Sequence, residues 1–371
     1  MYINNIIIGI FKNNKNKAIE YLNELENLLL IFKGKVYKKF LQRRFKVNNL
    51  TYVGKGFLKK ISLYIKKHTI DTVVFDDELS LSQIKNIEKT IKCNISDRTK
   101  LILDIFSNKA KTSYAKLQVK LANYQYILPR LKHMWSHLER QRGGIGLRGP
   151  GEKEIETDRR LIRNKILNLK KKLKKIKNQI IIQRKRRINN IIISLVGYTN
   201  VGKTTIINKL TNKNFLTENK YFTTLDAKIN KIYINKKKIL LVDTIGFLRK
   251  IPTKLIESFK SSIIEIKNSN IILHVIDISS NFIKDKFFYV TNFLLYELKL
   301  YSKKIIIIFN KIDKLKNFSN KLIEEKINIK VFNNNYIIYN NKKFHFITIS
   351  SKNKYNIKQL KEFIYNITLN I

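Results

Sequence analysis

The sequence predicts an α/β chain in three parts. A small N-terminal α/β domain spans residues 1–110, a long antiparallel helical hairpin spans 111–188, and a P-loop domain with a mostly parallel sheet and helices on both faces spans 189–371. Three observations predict this. Short apolar runs alternate with helical periods over the first 110 residues. Two heptad-like apolar stripes flank one glycine-rich stretch. A G-x-x-x-x-G-K-T motif lies between a β-branched run and a helix, at Gly197–Thr204.

Composition narrows the class before any element is placed. With 371 residues the chain is long enough for two or three cores. It carries 75 Lys and Arg against 27 Asp and Glu, a net charge of +48. Such a potential favours a polyanionic partner, although Ile, Asn and Lys crowd every segment and part of the charge reads as compositional drift. The single Cys93 excludes an internal disulfide framework and fits a reducing compartment. No apolar run approaches the ~18 residues of a membrane span. The run Ile6–Phe11 lacks a basic leader and a cleavage site, so it reads as a strand and not a signal peptide. The expectation is a cytoplasmic protein.

In the first domain, strands are predicted at Ile3–Phe11, Val36–Leu41 and Asp71–Phe75. Helices are predicted at Lys17–Phe32, where Ile19, Leu22, Leu25 and Leu29 share a face, at Phe57–Lys67 after the turn Tyr52–Gly56, and at Ser80–Lys92. The acidic run Asp76-Asp77-Glu78 has the residue types of a metal site, but reads as a solvated loop and helix N-cap.

The hairpin begins with a helix from about Asp97 to Gln141, with breaks expected near Asn108 and Pro129. Leu117, Leu121, Tyr124, Leu128, Leu131, Trp135 and Leu138 recur at steps of four and three. The second helix, about Glu152 to Arg187, repeats this with Ile155, Ile162, Ile166, Leu169, Leu173, Ile176 and Ile180. Core packing explains both stripes. His133 and His137 stand four apart, but no third ligand accompanies them, so a surface role is expected and not a metal site. The tip, 142–151, holds five of the chain's 12 glycines between Arg142 and Arg148, more than a connector needs. It reads as a backbone-rich finger able to lie against RNA. The Lys-rich face beyond Arg159, Arg160 and Arg163 suits a contact that tracks a phosphate backbone.

The last domain carries the chemistry. The loop Gly197, Tyr198, Thr199, Asn200, Val201, Gly202, Lys203 and Thr204 is expected to wrap nucleotide phosphates with backbone N–H groups at a helix N-terminus. Lys203 faces the β- and γ-phosphates, and the Thr204 hydroxyl is a Mg²⁺ ligand. Strands are predicted at Lys228–Asn235, Lys238–Val242, Ile271–Ile276, Lys304–Phe309 and Phe344–Ile349, with the remaining motifs at strand ends, where open α/β sheets bind ligands. Asp243, Thr244, Ile245 and Gly246 form one of them. Asp243 is placed on Mg²⁺ and the Gly246 N–H on the γ-phosphate. The segment Phe222, Thr223, Thr224, Leu225 and Asp226 supplies a switch threonine, Thr224 or else Thr223, that joins the metal only when the γ-phosphate is present. Lys203, Thr224 and Gly246 are thus the catalytic candidates, and Thr204, Thr224 and Asp243 the metal candidates. Asn310, Lys311, Ile312 and Asp313 read the base. The Asp313 carboxylate accepts from N1–H and the 2-amino group of guanine, Lys311 covers the base plane, and the Ser350–Ser351 backbone meets guanine O6. Adenine would leave the carboxylate unpaired, so GTP is expected over ATP. Residues 315–343, rich in Asn and Lys, read as helix plus loop.

These motifs imply a P-loop GTPase domain. The phrases LPRLKHMW, GGIGLRGPGEKEIETDRRLIR, GYTNVGKTT, FTTLD, DTIGFLR and NKID, with VGKG, DDELSLSQ and ISDRTKLILDIF before them, resemble the HflX family of ribosome-associated GTPases over nearly the whole chain. The resemblance implies that the N-terminal domain and hairpin reach the peptidyl-transferase region of the large ribosomal subunit and its rRNA. It also implies that the GTP-bound protein helps split or rescue stalled ribosomes. A monomer is expected in the free state. A different reading, an assembly or silencing factor that binds the large subunit under GTP control, stays open. Many members carry a small domain after the GTPase domain, whereas this sequence stops at Ile371, which implies that contacts made by that domain are lost or replaced. Phe247 stands where many GTPases place a water-orienting Gln, so slow hydrolysis by the free protein is expected.

Overall fold

The computed structural model describes residues 3–131, 150–185, 190–212, 227–250, 260–315, 318–332 and 335–369. The switch segment 222–226, most of the glycine-rich tip, His133, Trp135 and His137 lie outside the described residues. The chain divides into two compact units, Met1–Asn178 with Lys250–Ser258, and Gln179–Arg249 with Phe259–Ile371.

The first unit is built on a parallel sheet of order β2-β1-β3-β4, with β1 at Ile3–Phe11, β2 at Gly34–Arg43, β3 at Thr72–Phe75 and β4 at Asn94–Asp97. Parallel strands need helical crossovers and bury both faces, and here Ile6, Ile7 and Ile8 are all fully buried. Alternation along the strands sorts the faces. Ile6, Ile8, Val73 and Phe75 pack in one cluster with Leu58, Ile61 and Ile87 of helices α2 (Lys55–Lys67) and α3 (Leu81–Thr90). On the same unit, α1 (Lys15–Leu29) packs on β1 and on α4 (Arg98–Lys109).

One expectation is corrected here. The acidic run is not solvated throughout, because Glu78 is exposed and Asp77 half-buried but Asp76 is buried. Asp76 is 4% exposed and accepts a hydrogen bond from Arg98 Nη1 at 2.8 Å, and Arg98, 1% exposed, also pairs with Glu24. Asp77 accepts from the Tyr52 hydroxyl at 2.6 Å, and Glu78 from Thr99 Oγ1 at 3.0 Å. The α3 cap is Ser80, whose hydroxyl accepts from Gln83 N while the Gln83 side chain accepts from Ser80 N, a reciprocal capping box. Among the described residues no cluster of His, Cys, Asp or Glu could hold a metal.

The long first hairpin helix is divided close to the break expected near Asn108. It breaks after Lys109, and Thr112 caps a new helix, α5 (Ser113–Ile127), by accepting from Ala115 N at 3.1 Å. Asp97 caps α4 and accepts from Lys100 N at 2.8 Å. Burial raises its carboxyl above the usual range, opposed by backbone N–H donors and Arg130. α5 packs against α6 (Pro150–Lys185) through Leu121, Ile166 and Leu169, flanked by Leu117, Tyr124, Ile162 and Leu173. Among the described residues, these positions of the predicted stripes form the seam.

The second unit holds an eight-stranded sheet of order β10-β11-β12-β9-β8-β5-β7-β6. The central strands β5 (Ile191–Gly197), β7 (Lys237–Asp243), β8 (Ile271–Asp277), β9 (Lys304–Asn310) and β12 (Lys342–Thr348) pair in parallel, while β6 (Lys228–Ile234) runs antiparallel to β7. Every residue from Ile305 to Asn310 is buried, as a strand covered by helices on both faces requires. The stretch read as helix plus loop contains the helix Asn320–Ile327 but also two strands, β10 (Val331–Phe332) and β11 (Tyr336–Tyr339), that extend the sheet antiparallel beyond β12. Phe332 and Tyr336 stack across that pair at 4.7 Å, a cross-strand contact that no local period announces.

Candidate nucleotide site

The carboxyl ends of β5, β7, β8, β9 and β12 converge on one loop cluster. Leaving β5 at Gly197, the chain turns through Asn200 at φ +60° and Gly202 at φ +95°, and enters helix α7 (Lys203–Thr211). Gly202 is obligatory twice over. L side chains rarely adopt its backbone conformation, and a Cβ there would lie 2.4 Å from Asn310 Nδ2. Lys203 is 7% exposed, and its Nζ donates to the carbonyls of Gly197 at 3.1 Å and Tyr198 at 2.9 Å. Burial lowers its pKa to about 8, partly opposed by the Asp243 carboxylate. A bound polyphosphate would hold that ammonium charged.

Asp243 is 1% exposed and accepts a hydrogen bond from Thr204 Oγ1 at 2.8 Å. The two predicted metal candidates that fall among the described residues are therefore adjacent. Thr224, the third, lies outside them. The neighbouring Thr244 turns away from the loop and donates to Leu195 O at 2.5 Å, and Ile245 is buried, so both anchor the segment to the core. Gly246 sits directly on the phosphate loop, where a Cβ would meet Thr199 Cα at 2.8 Å and Lys203 Nζ at 3.1 Å. The next residue continues the contact as a short parallel bridge. Phe247 N donates to Gly197 O at 3.0 Å, and Thr199 N donates to Phe247 O at 2.8 Å. The Phe247 ring packs edge-on against Phe293 at 4.9 Å and Tyr289 at 6.5 Å. This ring serves the core and has nothing with which to orient water. The Tyr198 hydroxyl accepts from Arg249 N at 2.8 Å, a second tie between the two loops.

At the far side of the cluster, Asn310 is fully buried and spends both ends of its amide on the scaffold. Its Nδ2 donates to Val201 O at 2.8 Å, and its Oδ1 accepts from Ser351 N at 3.0 Å. These two bonds tie the phosphate loop to the Ser350–Ser351 loop and leave the second Nδ2 hydrogen for a base. Asp313 has its carboxylate oriented by Ser350 Oγ at 2.5 Å, and Ile312 leads it through a 3₁₀ turn. The expectation that the Ser350–Ser351 backbone meets a base carbonyl meets competition, because Ser350 N already donates to Tyr355 O at 3.2 Å and Ser351 N to Asn310. Lys311 adopts φ +69°, and its Nζ donates to Asn200 O at 2.6 Å.

Sequence reasoning missed two residues of this cluster. Asp277, the last residue of β8, pairs with Lys311. It stands after an apolar run like the other strand-end acids, which is the signal that could have found it. His274, on the same strand opposite Val196, is 2% exposed, stacks on Phe287 at 5.8 Å and faces Thr291 Oγ1 at 3.4 Å. Nothing in its local sequence marks it. Burial, reinforced by the charge of Lys203, lowers its pKa to about 3. An unfolded chain takes up this proton near pH 6.5 while the fold refuses it, so stability falls as pH drops from 6.5 toward 3. The expected contribution is about 1.4 kcal/mol per pH unit in that window. His274→Leu should flatten the slope by one proton, measured by urea unfolding between pH 7 and pH 4. An unchanged slope would contradict the assignment.

The comparisons with known proteins follow the same division. A family model described as GTP-binding GTPase N-terminal matches residues 19–107, one described as GTP-binding GTPase Middle Region matches 109–187, and one described as 50S ribosome-binding GTPase matches 192–311. The chain is 49% identical over 316 residues to GTPase HflX of Flavobacterium psychrophilum, covering 85% of this chain and 76% of that protein. It is 36% identical over 317 residues to GTPase HflX of Escherichia coli K12, covering 85% and 74%. A solved GTP-binding protein of the archaeon Sulfolobus solfataricus, in complex with GDP, matches at 25% identity over 99% of both chains, with a TM-score of 0.50. Together with the nucleotide cluster, these matches show that the chain belongs to the HflX family of ribosome-binding GTPases, which hydrolyse GTP.

Proposed function

We propose that the chain couples GTP binding and hydrolysis to the splitting or rescue of stalled ribosomes, acting on the large subunit and its rRNA. The observation that carries this reading is α6. This 36-residue helix, about 54 Å long, buries Ile166 and Leu169 against α5 and leaves Lys165, Lys170, Lys171, Lys172, Lys174, Lys175 and Lys177 exposed. A long helix with one apolar seam and a run of exposed lysines beside it fits a contact with an RNA phosphate backbone.

In this reading Lys203 and the N–H groups of the phosphate loop bind the β- and γ-phosphates, and Gly246 N–H meets the γ-phosphate. Thr204 and Asp243 bring two hard oxygen donors within 2.8 Å of each other, the donor set that suits Mg²⁺. With Thr224 they are the residues that would hold it. The metal, when bound, would neutralise charge on the β- and γ-oxygens. Asp313 reads the guanine edge and Lys311 covers its face, while Phe222, Thr223, Leu225 and Asp226 belong to the switch segment that responds to the γ-phosphate.

The test is separation of 70S ribosomes, followed by light scattering and gradient sedimentation, with GTP, with GDP and with a Lys203→Ala variant. Dissociation that needs GTP and Lys203 is the expected result. GTP-dependent binding to large subunits without dissociation would overturn splitting and leave an assembly or silencing role.

A further inference from the structure

We infer that Asp277 is a positioning residue for guanine binding: it pins the Lys311 side chain across the face of the base pocket. This inference rests on the reading of Lys311 and Asp313 as the base site.

The geometry begins with strand register. Asp277 ends β8 opposite Asn310 at the end of β9, and Ile278 N donates to Asn310 O at 3.1 Å, which holds the two strand ends together. The chain then enters Lys311 at φ +69°. A left-handed conformation is unfavourable for a non-glycine residue and persists where surrounding contacts over-determine it. The contacts lie at the far end of the side chain. Lys311 Nζ is 2.6 Å from Asn200 O on the phosphate loop and 2.8 Å from Asp277 Oδ2. One ammonium thus bridges two loops, with its stem stretched between backbone and anchors.

The two oxygens of Asp277 do separate work. Oδ1 accepts from Ser279 N at 3.0 Å and Ser279 Oγ at 2.6 Å, closing the turn after β8. Oδ2 is thereby turned toward Lys311. The side chains of Lys311 and Asp277 are 18% and 19% exposed, so the pair is neither screened like a surface pair nor fully desolvated. A flexible lysine stem makes a poor wall for a flat base, because stacking on it would cost the rotamer freedom of four methylenes. Fixing both ends before the base arrives removes that cost from binding.

The consequence separates Asp277 from Asp313. Asp313 meets the base edge and distinguishes guanine from bases lacking its donors. Asp277, acting through the stem, affects the base face, which guanine and hypoxanthine share. Loss of Asp277 should therefore weaken both equally.

The experiment is Asp277→Asn, which retains one oxygen for the Ser279 turn and replaces the Lys311 acceptor with an amide donor. GDP and IDP affinities and release rates are measured for the wild type, Asp277→Asn, Lys311→Ala and the double variant. GDP and IDP should each bind about tenfold more weakly to Asp277→Asn, with faster release and an unchanged GDP-to-IDP ratio. The effect should vanish in the Lys311→Ala background, and the melting temperature without nucleotide should stay put. Unchanged GDP release, or an equal loss in the Lys311→Ala background, would overturn the inference. A wild-type chain that binds GDP no better than ADP would instead overturn the base-site reading beneath it, a result seen without any variant.

Discussion

Asp313→Asn is expected to turn the chain from guanine to xanthine nucleotides. The carboxylate offers acceptors only, which matches the two donors on the guanine edge, N1–H and the 2-amino group. An asparagine offers one acceptor and one donor. Its oxygen can still take N1–H and the Ser350 hydroxyl that lies 2.5 Å from Asp313 Oδ1, but its amide would face the 2-amino group donor to donor. Xanthine carries a carbonyl at that position and restores the match. Two charge-assisted hydrogen bonds are at stake, so GTP affinity should fall by about 100-fold or more and XTP affinity should rise by a similar factor. Competition of GDP and XDP against a fluorescent nucleotide measures both. A variant that loses GDP without gaining XDP would mean that Asp313 organises the Ser350 loop and does not read the base.

The parts of the molecule that were legible in sequence are those in which one element carries its own signal. The phosphate loop announces itself because the strand, the two glycines and the helix start are contiguous, and the structure places Lys203 and Thr204 together with Asp243 as that motif requires. The α5–α6 seam was legible because apolar spacing along each helix is a local property. What failed was short or non-local. β4 reads Asn-Ile-Ser-Asp, one apolar residue in four where the equally short β3 is mostly apolar, and β10 has two residues, too few for a period to register. Asp76 looks solvated because three acids in a row are usually exposed, and nothing near it in sequence reveals that Arg98 will be buried against it. Asn310 and Asp277 show a subtler limit. A motif identifies which residues cluster around a ligand, but whether a side chain faces the ligand or braces a neighbour depends on strand register, as the Asp277–Asn310 pairing shows.

The same distinction between facing the ligand and bracing a neighbour governs the largest expected effect, the dependence of hydrolysis on the large ribosomal subunit. Attack on the γ-phosphate needs an ordered water, and Gly246 can supply only a backbone N–H. The next side chain is Phe247, committed to the packing of Phe293 and Tyr289 and held by backbone bonds to Gly197 and Thr199. It cannot swing in as a hydrogen-bonding group without dismantling that packing, and a phenyl ring has no polar atom to offer. The free protein should therefore turn over slowly, at about 10⁻⁴ s⁻¹, and a partner that supplies or orders the missing group should accelerate it ~10³-fold or more. Purified large subunits are the partner to try, with Lys203→Ala as the control that must abolish turnover in both conditions. Phe247→Ala adds a second discrimination. It should loosen the loop and its packing without creating a catalytic group, so it should not raise the free rate. Fast hydrolysis by the free chain, unchanged by large subunits, would show that a residue of the chain itself already orders the water. In that case Thr199 would be the first to change, since its Cα and Cγ2 lie beside Gly246 and its hydroxyl is buried with no hydrogen-bond partner among the described residues.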